Sequence, residues 1–377
     1  MKYIKQLDSL RALAIFTVII VHWFPDGTPL YTFAFNCDAP TVFFTISGFL
    51  ITAILLKERN RAEVQNGNKF ILFKNFFFKR ALRILPGYFL VVAIWYFFPR
   101  SNEPINFKYF LTFTSNIYIY QIKQWPALTH LWTMSVEEQF YLIWPWIILF
   151  INRKFLLYVI LVIISISIIS QVTTAPLNEF SMVLTTNCFG FLAIGALLSW
   201  VTIVKPEKLG FFYKILCYIA TLSAIILFAQ IVFHVSDYIK NHTLVVLMTV
   251  NKCRILISLI TVWVIAFFVI RKDGKPYLLS FLLENKTLMN IGKISYGMYL
   301  YHLILPYYAL HPTYIILNNF LYHTPSALVN TYITLAENFV TLLLVSVFSY
   351  KFFELPILQF KSYFKTPKVD VAPLIVK

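Results

Sequence analysis

The chain is 377 residues long, 59% hydrophobic and 18% aromatic, with 13% charged residues and a mean hydropathy of +0.72. A soluble domain carries about 25% charged residues, so a soluble globular protein is excluded and an integral membrane protein is indicated. The net charge of +16 would suggest a nucleic-acid binder in a soluble chain, but its distribution along the sequence excludes that reading too.

Taken in order, the apolar runs predict ten spans, at about 10–25, 40–56, 83–98, 137–151, 155–171, 187–203, 212–233, 253–270, 289–310 and 329–350. Counting Lys and Arg between them gives 25 on the side of the N-terminus, 5 on the other side, and Arg11 and Arg254 within or at spans. By the positive-inside rule this bias places both termini in the cytoplasm and explains the basic charge without any nucleic acid. Nothing after Trp23 resembles a cleavage site, so the first helix is expected to stay in the mature protein. The four cysteines, Cys37, Cys188, Cys217 and Cys253, form no CxxC pair and no dense framework, so no structural metal or disulfide scaffold is indicated. The expected fold is an all-α integral membrane protein of about ten transmembrane helices.

In the first span, RALAIFTVIIVHW, Arg11 and His22 stand eleven residues apart. At about 100° per residue the pair shares one helix face, on the order of 16 Å apart along the axis. Singly, Arg11 reads as a snorkelling anchor and His22 as an interfacial histidine beside Trp23. Together on one stripe they suggest a lined interior, since ionisable groups at membrane depth usually face a bundle or a watery cavity. The second span, VFFTISGFLIT, holds Ser47 and Gly48, which close helix packing explains. In FFFKRALRILPGYFL, Lys79 reads as an anchor. Arg80 and Arg83 are neighbours at i, i+3 and present a joint cationic face suited to a phosphate.

The stretch HLWTMSVEEQFYLIWPW opens the fourth span with His130, Trp132 and two acids. Ser135 and Glu138 fit a capping box, which leaves Glu137, about 100° round the helix, free to face the bundle. Near the C-terminus His302 lies in an aromatic run, readable equally as a core histidine or a pore residue. No Walker A, GxSxG, HExxH or GxGxxG motif is present, so neither a nucleotide-driven motor nor a familiar soluble hydrolase is indicated.

These stretches, in this order, resemble acyltransferase family 3, membrane acyltransferases that include bacterial O-acetylases of surface glycans. LDSLRALAIFTVIIVHW is similar to the family's opening motif of Arg or Lys, ten residues and His, here Arg11 and His22. FKRALRILPGY is similar to an R-x-x-R-I-x-P-x-Y segment, giving Arg80, Arg83, Pro86 and Tyr88. HLWTMSVEEQFYLIWP departs from the family pattern at Thr133 and Met134, and the C-terminal signatures depart at Tyr301 and Leu355. The resemblance implies a membrane domain over 1–356, a short cytoplasmic tail over 357–377, and residence in the cytoplasmic (inner) membrane. It implies transfer of an acyl group, expected to be acetyl, from cytoplasmic acyl-CoA to a hydroxyl of an extracytoplasmic or lipid-linked saccharide. Acyl-CoA is then a donor substrate, with no permanently bound cofactor and no metal. Membrane lipid and glycan-assembly proteins are the expected surroundings. Carried onto this sequence, His22 and Glu137 are the expected catalytic pair, with Glu137 orienting the imidazole. Arg11, Arg80 and Arg83 are expected to hold the donor, while Ser47, Tyr88, His130, Trp132 and His302 line the substrate path. Many relatives carry an additional extracytoplasmic esterase-like domain, so this chain is expected to act as a stand-alone transferase. The contrasting expectation is a glycan exporter without acyl-transfer chemistry, which a polar path through ten helices would serve equally well.

Overall fold

Each of the ten apolar runs falls mainly on a helix. A backbone solvated by lipid has no water to bond, so its N–H and C=O groups must be paired within the segment. The structure, a computed structural model, describes residues 3–26, 28–101, 105–176, 178–241, 246–271, 278–308 and 327–364. Its helices are α1 (Gln6–Trp23), α2 (Pro29–Asn36), α3 (Ala39–Val64), α4 (Lys69–Phe97), α5 (Phe107–Leu111), α6 (Ser115–Ile122), α7 (Trp132–Phe150), α8 (Arg153–Thr174), α9 (Thr185–Val204), α10 (Leu209–Asn241), α11 (Val246–Ile270), α12 (Leu278–Leu283), α13 (Lys286–Tyr301), α14 (Ala327–Ser349) and α15 (Leu355–Gln359). No strand occurs among the described residues.

Six stretches of the described residues are long and apolar enough to cross a membrane: Gln6–Trp23, Pro29–Val64, Arg153–Thr174, Thr185–Val204, Pro206–Val232 and Thr331–Phe364. The chain is therefore an all-α, multi-pass membrane protein. Arg254–Ile270, the part of α11 whose side chains are described, is also apolar, and the apolar run of α7 is interrupted by Glu137, Glu138 and Gln139.

The apolar runs mark the middle of each helix and understate its length. The stretch 57–82, expected as an inner loop, is instead the end of α3 and the first half of α4, joined by a tight turn at 65–68. Asn68 ends that turn by accepting the Phe70 N–H at 2.8 Å, an N-cap. The expected outer segment 99–136 contains α5, α6, a 3₁₀ turn at Thr129–Leu131 and the start of α7. The ninth run stops being a helix at Tyr301 and continues as a turn and a 3₁₀ segment, Leu305–Tyr307; its last two residues lie outside the described set. Lys2 and Lys365, which the charge rule assigns to the cytoplasm, also lie outside it. Of the expected tail, Phe360–Phe364 forms a 3₁₀ segment against α4, with Phe364 stacked on Phe78 at 4.9 Å.

Two close helix pairs set the frame. α3 lies against α9 with backbones touching: a Cβ on Gly48 would stand 1.9 Å from the Leu192 carbonyl oxygen, and one on Gly195 would stand 2.0 Å from that of Thr45. Only glycine permits this approach. α1 runs beside α13 in the same direction. A Cβ on Gly292 would meet the Asp8 carbonyl oxygen at 1.8 Å near one end, and Trp23 Nε1 donates to the His302 carbonyl at 3.0 Å at the other. This register puts the ends of both helices, His22 and His302, side by side.

Two buried arginines are fully engaged by the fold. Arg254 on α11, 1% exposed, is ion-paired to Asp38 at 3.0 Å and donates to the Thr41 hydroxyl and the Met182 carbonyl. Its guanidinium also lies over the Phe191 ring at 4.8 Å. Arg59 on α3 donates to the Ile148 and Ile151 carbonyls at 2.7 and 2.8 Å, closing the C-terminal end of α7, and pairs with Glu63.

Candidate active site

Five residues from four helices meet at one cavity of about 100 Å³: Arg11 (α1), Ser47 (α3), Arg80 and Arg83 (α4) and Glu137 (α7). Lys293, Tyr296 and Tyr299 of α13 close its far wall. The local sequence explains the convergence. Gly48 draws α3 onto α9, so Ser47, one residue earlier, is turned about 100° away from that contact and faces α7. There Ser47 Oγ donates to Glu137 Oε1 at 2.7 Å, and Tyr141 OH donates to Glu137 Oε2 at 2.9 Å. The Arg80 guanidinium sits over the Tyr141 and Phe76 rings at 5.5 and 5.7 Å. Arg11 lies 3.4 Å from Asp8 one turn before it. Asp8 also accepts from the Tyr3 hydroxyl.

Arg80 and Arg83 also line a second cavity of about 240 Å³, together with Lys79, Lys361, Asn75 and Glu58. The two arginines thus stand in the partition between a strongly basic chamber and the chamber holding Glu137. Lys79, read from sequence as an anchor, belongs to the basic chamber.

At the far end of α1 three imidazoles are neighbours. The His22 and His302 rings are 5.0 Å apart, and His302 and His130 are 5.1 Å apart. Each ring is held by a backbone carbonyl: His22 Nδ1 by Val18 at 2.8 Å, His302 Nδ1 by Tyr299 at 2.6 Å and His130 Nε2 by Leu300 at 3.1 Å. A carbonyl only accepts, so in the neutral ring the bonded nitrogen carries the hydrogen and the other nitrogen keeps a free lone pair. Those lone-pair nitrogens are His22 Nε2, His302 Nε2 and His130 Nδ1. The last two are buried and have no partner among the described residues. His302 is fully buried and His130 nearly so, whereas His22 is exposed. The arrangement offers a reachable base backed by two acceptors that no donor among the described residues satisfies. Among the described residues no group of His, Cys, Asp and Glu is arranged to hold a metal ion.

Tyr299 joins the two halves. It lines the Glu137 chamber, and its ring lies 5.7 Å from His130 and 5.5 Å from His302. Its hydroxyl donates to the His130 carbonyl at 2.6 Å and meets the Thr133 hydroxyl at 2.6 Å. Sequence reading did not single it out. The signal was its place one turn before His302 in the run ISYGMYLYH, a spacing that puts both on one helix face.

Several expectations need correction. Glu137 does not bond His22, because both its oxygens are taken by Ser47 and Tyr141 and its side chain sits in the arginine chamber. The capping box is not formed: α7 begins at Trp132, which puts Ser135 inside the first turn, where its hydroxyl pairs with Ser115 at 2.8 Å. Glu138 lines a separate cavity of about 240 Å³ beside Arg80 and Gln139, with Oε1 buried and unpartnered. Tyr88 is fully buried and donates to the Phe110 carbonyl at 2.8 Å, tying α4 to α5 rather than lining either chamber. Trp132 packs edge-on against Phe44, itself a residue of the chamber wall, at 5.9 Å.

Known proteins are similar to this chain over part or most of its length. The O-acetyltransferase OatA of Staphylococcus aureus (strain NCTC 8325 / PS 47) is 26% identical over 397 residues, which cover 97% of this chain and 59% of that protein. The chain therefore spans about three fifths of that relative's length. The peptidoglycan O-acetyltransferase OatA of Listeria monocytogenes serovar 1/2a is 29% identical over 184 residues, 42% of this chain and 27% of the relative. No solved structure is a significant match. A family model described as an acyltransferase domain matches residues 4–350, and the chain belongs to this family, the acyltransferase 3 family.

Proposed function

We propose that this protein is a membrane O-acetyltransferase, moving an acetyl group from cytoplasmic acetyl-CoA to a saccharide hydroxyl on the other side of the membrane. The observation that carries the reading is the pair of adjoining chambers divided by Arg80 and Arg83, basic on one side and leading through Tyr299 to three histidines on the other. Phosphates of the donor occupy the basic chamber, where guanidinium and ammonium groups outnumber carboxylates. The pantetheine arm runs past Arg11, Ser47 and Glu137 towards Tyr299. Glu137 offsets the three arginines and keeps the passage ordered. His22 takes the proton of the acceptor hydroxyl at Nε2. The hydroxyl oxygen forms the new ester bond, the thioester C–S bond breaks, and the coenzyme leaves as its thiol after recovering a proton.

In this reading the chain crosses the cytoplasmic membrane about ten times with both termini inside. Residues 1–356 form the catalytic membrane domain, and 357–377 the cytoplasmic tail. The names of the relatives make a cell-wall glycan the first acceptor to test. Membranes containing the protein, given radiolabelled acetyl-CoA and cell-wall glycan, should transfer label to the glycan as a base-labile ester. A folded protein that neither binds nor consumes acetyl-CoA would end this reading. Cysteine labelling at Lys123 from outside and at Lys365 from inside checks the orientation.

A further inference from the structure

The basic chamber is bounded by four cations, Lys79, Arg80, Arg83 and Lys361, and one carboxylate, Glu58. Glu58 is already ion-paired with Arg61 at 2.8 Å. Among the described residues none of the four cations makes an ion pair. Like charges gathered around one recess repel each other, and they persist where an anion completes the site. Three of the four come from α4. The fourth does not: Lys361 is on the 3₁₀ segment Phe360–Phe364, beyond the residues 4–350 that the family shares. That segment is held in place by Phe364, whose ring lies 4.9 Å from Phe78 and within 4° of parallel to it, so the ammonium is delivered to the chamber from outside the common domain.

We propose that Lys361 is a donor-binding residue, and that the C-terminal segment 360–364 clamps the phosphate-bearing nucleotide end of coenzyme A against Arg80 and Arg83. This rests on the acetyl-CoA reading and adds to it a binding element that the shared domain does not contain. A compact ammonium on a flexible stem suits this place, because it neutralises phosphate charge from one side while the guanidiniums supply directional bonds from the other. Exposed Lys351, on the helical turn Tyr350–Glu354 before α15, lines none of the described chambers, which makes it the natural control.

The test is acetyl-CoA binding to the purified full-length chain in nanodiscs of neutral phosphatidylcholine, repeated with added anionic phosphatidylglycerol. The nucleotide bisphosphate half of coenzyme A serves as competitor. Lys361→Ala should bind acetyl-CoA about tenfold more weakly, the loss of one charge-assisted contact. Lys361→Glu should be weaker still, Lys361→Arg near the parent, and Lys351→Ala unchanged. The bisphosphate should compete in the parent and lose potency in Lys361→Ala, which separates phosphate contact from a general loosening of the fold. A parent chain that does not bind acetyl-CoA overturns the proposed function itself. A parent that binds, with Lys361→Ala and Lys361→Glu binding equally well, overturns only the clamp. Retention of phosphatidylglycerol that depends on Lys361, with acetyl-CoA affinity that does not, reassigns the chamber to a lipid headgroup and also overturns it.

Discussion

Two regions of this molecule hold arginine in opposite ways, one buried and one lining half-open chambers. In the α3–α9–α11 region, Arg254 finds a carboxylate, a hydroxyl, a carbonyl and an aromatic ring, all within its own chain. Around the chambers between α1, α4, α7 and α13, Arg80 has aromatic faces, and neither it nor Arg83 has an ion pair among the described residues. The first region is complete as it stands. The second leaves Arg80, Arg83 and two histidine lone pairs without such partners among the described residues, and in the proposed reading the substrates supply them. A buried arginine such as Arg254 is therefore accounted for by the fold, and the cations without an ion pair among the described residues are the ones to test for a ligand.

Removing the base gives the largest expected effect. His22→Ala should lower acetyl transfer by about 10²–10⁴-fold, the usual worth of a positioned general base, while acetyl-CoA binding stays near the parental value. A stable His22→Ala protein that transfers at the parental rate would move the base to His302 or His130.

Breaking the self-contained region comes next, and its effect should be on the fold. Arg254→Ala strands the Asp38 carboxylate in a buried site, a change that typically costs about 3–5 kcal/mol. Thermal unfolding in detergent should show a large loss of stability. By contrast Arg80→Ala and Arg83→Ala should leave stability almost unchanged and weaken acetyl-CoA binding by about 1.5–3 kcal/mol each. If the two regions exchanged behaviour, with Arg254→Ala stable and Arg80→Ala unfolded, the distinction drawn from their partners would be wrong.

Much of the fold was legible in the sequence, because apolar runs, lipid and helical backbone pairing leave little choice. Local spacing also singled out Arg11, Arg80, Arg83 and Glu137, and the family resemblance added Ser47; the structure brings all five to one chamber. Contacts between distant segments were not legible. Nothing in the sequence says that Asp38 meets Arg254 or that His130 meets His302, since these pairs depend on which helices become neighbours. The capping box failed for a related reason: Ser135 has the right spacing to Glu138, but α7 starts one turn earlier and Ser115 of α6 claims its hydroxyl. Glu137 was steered towards His22 by chemical aptness, whereas the glycine-driven approach of α3 gave it to Ser47. The tail residue Lys361 was hidden because the basic stretch after the last apolar run reads as a short cytoplasmic tail until Phe364 is seen stacked on Phe78.

The smallest effect sharpens the link between the two halves of the ligand-dependent region. Tyr299→Phe removes one oxygen, which donates to the His130 carbonyl and meets the Thr133 hydroxyl, both at 2.6 Å. The ring stays, so the chamber wall keeps its shape. Losing a neutral hydrogen bond of this kind costs about 0.5–1.5 kcal/mol. The cost should fall on turnover, not on binding, because the hydroxyl orders the turn bearing His130 at the acceptor end, whereas the donor is gripped at Arg80 and Arg83. We expect kcat to fall about threefold to tenfold with the KM for acetyl-CoA unchanged. A rise in KM with kcat intact would place Tyr299 with the donor instead, and the partition between the chambers would then lie nearer the histidines. Thr133→Val offers a second route to the same contact, removing the other hydroxyl at nearly constant volume. Combined with Tyr299→Phe it should lose little more than Tyr299→Phe alone, since the Tyr299–Thr133 bond is already absent there.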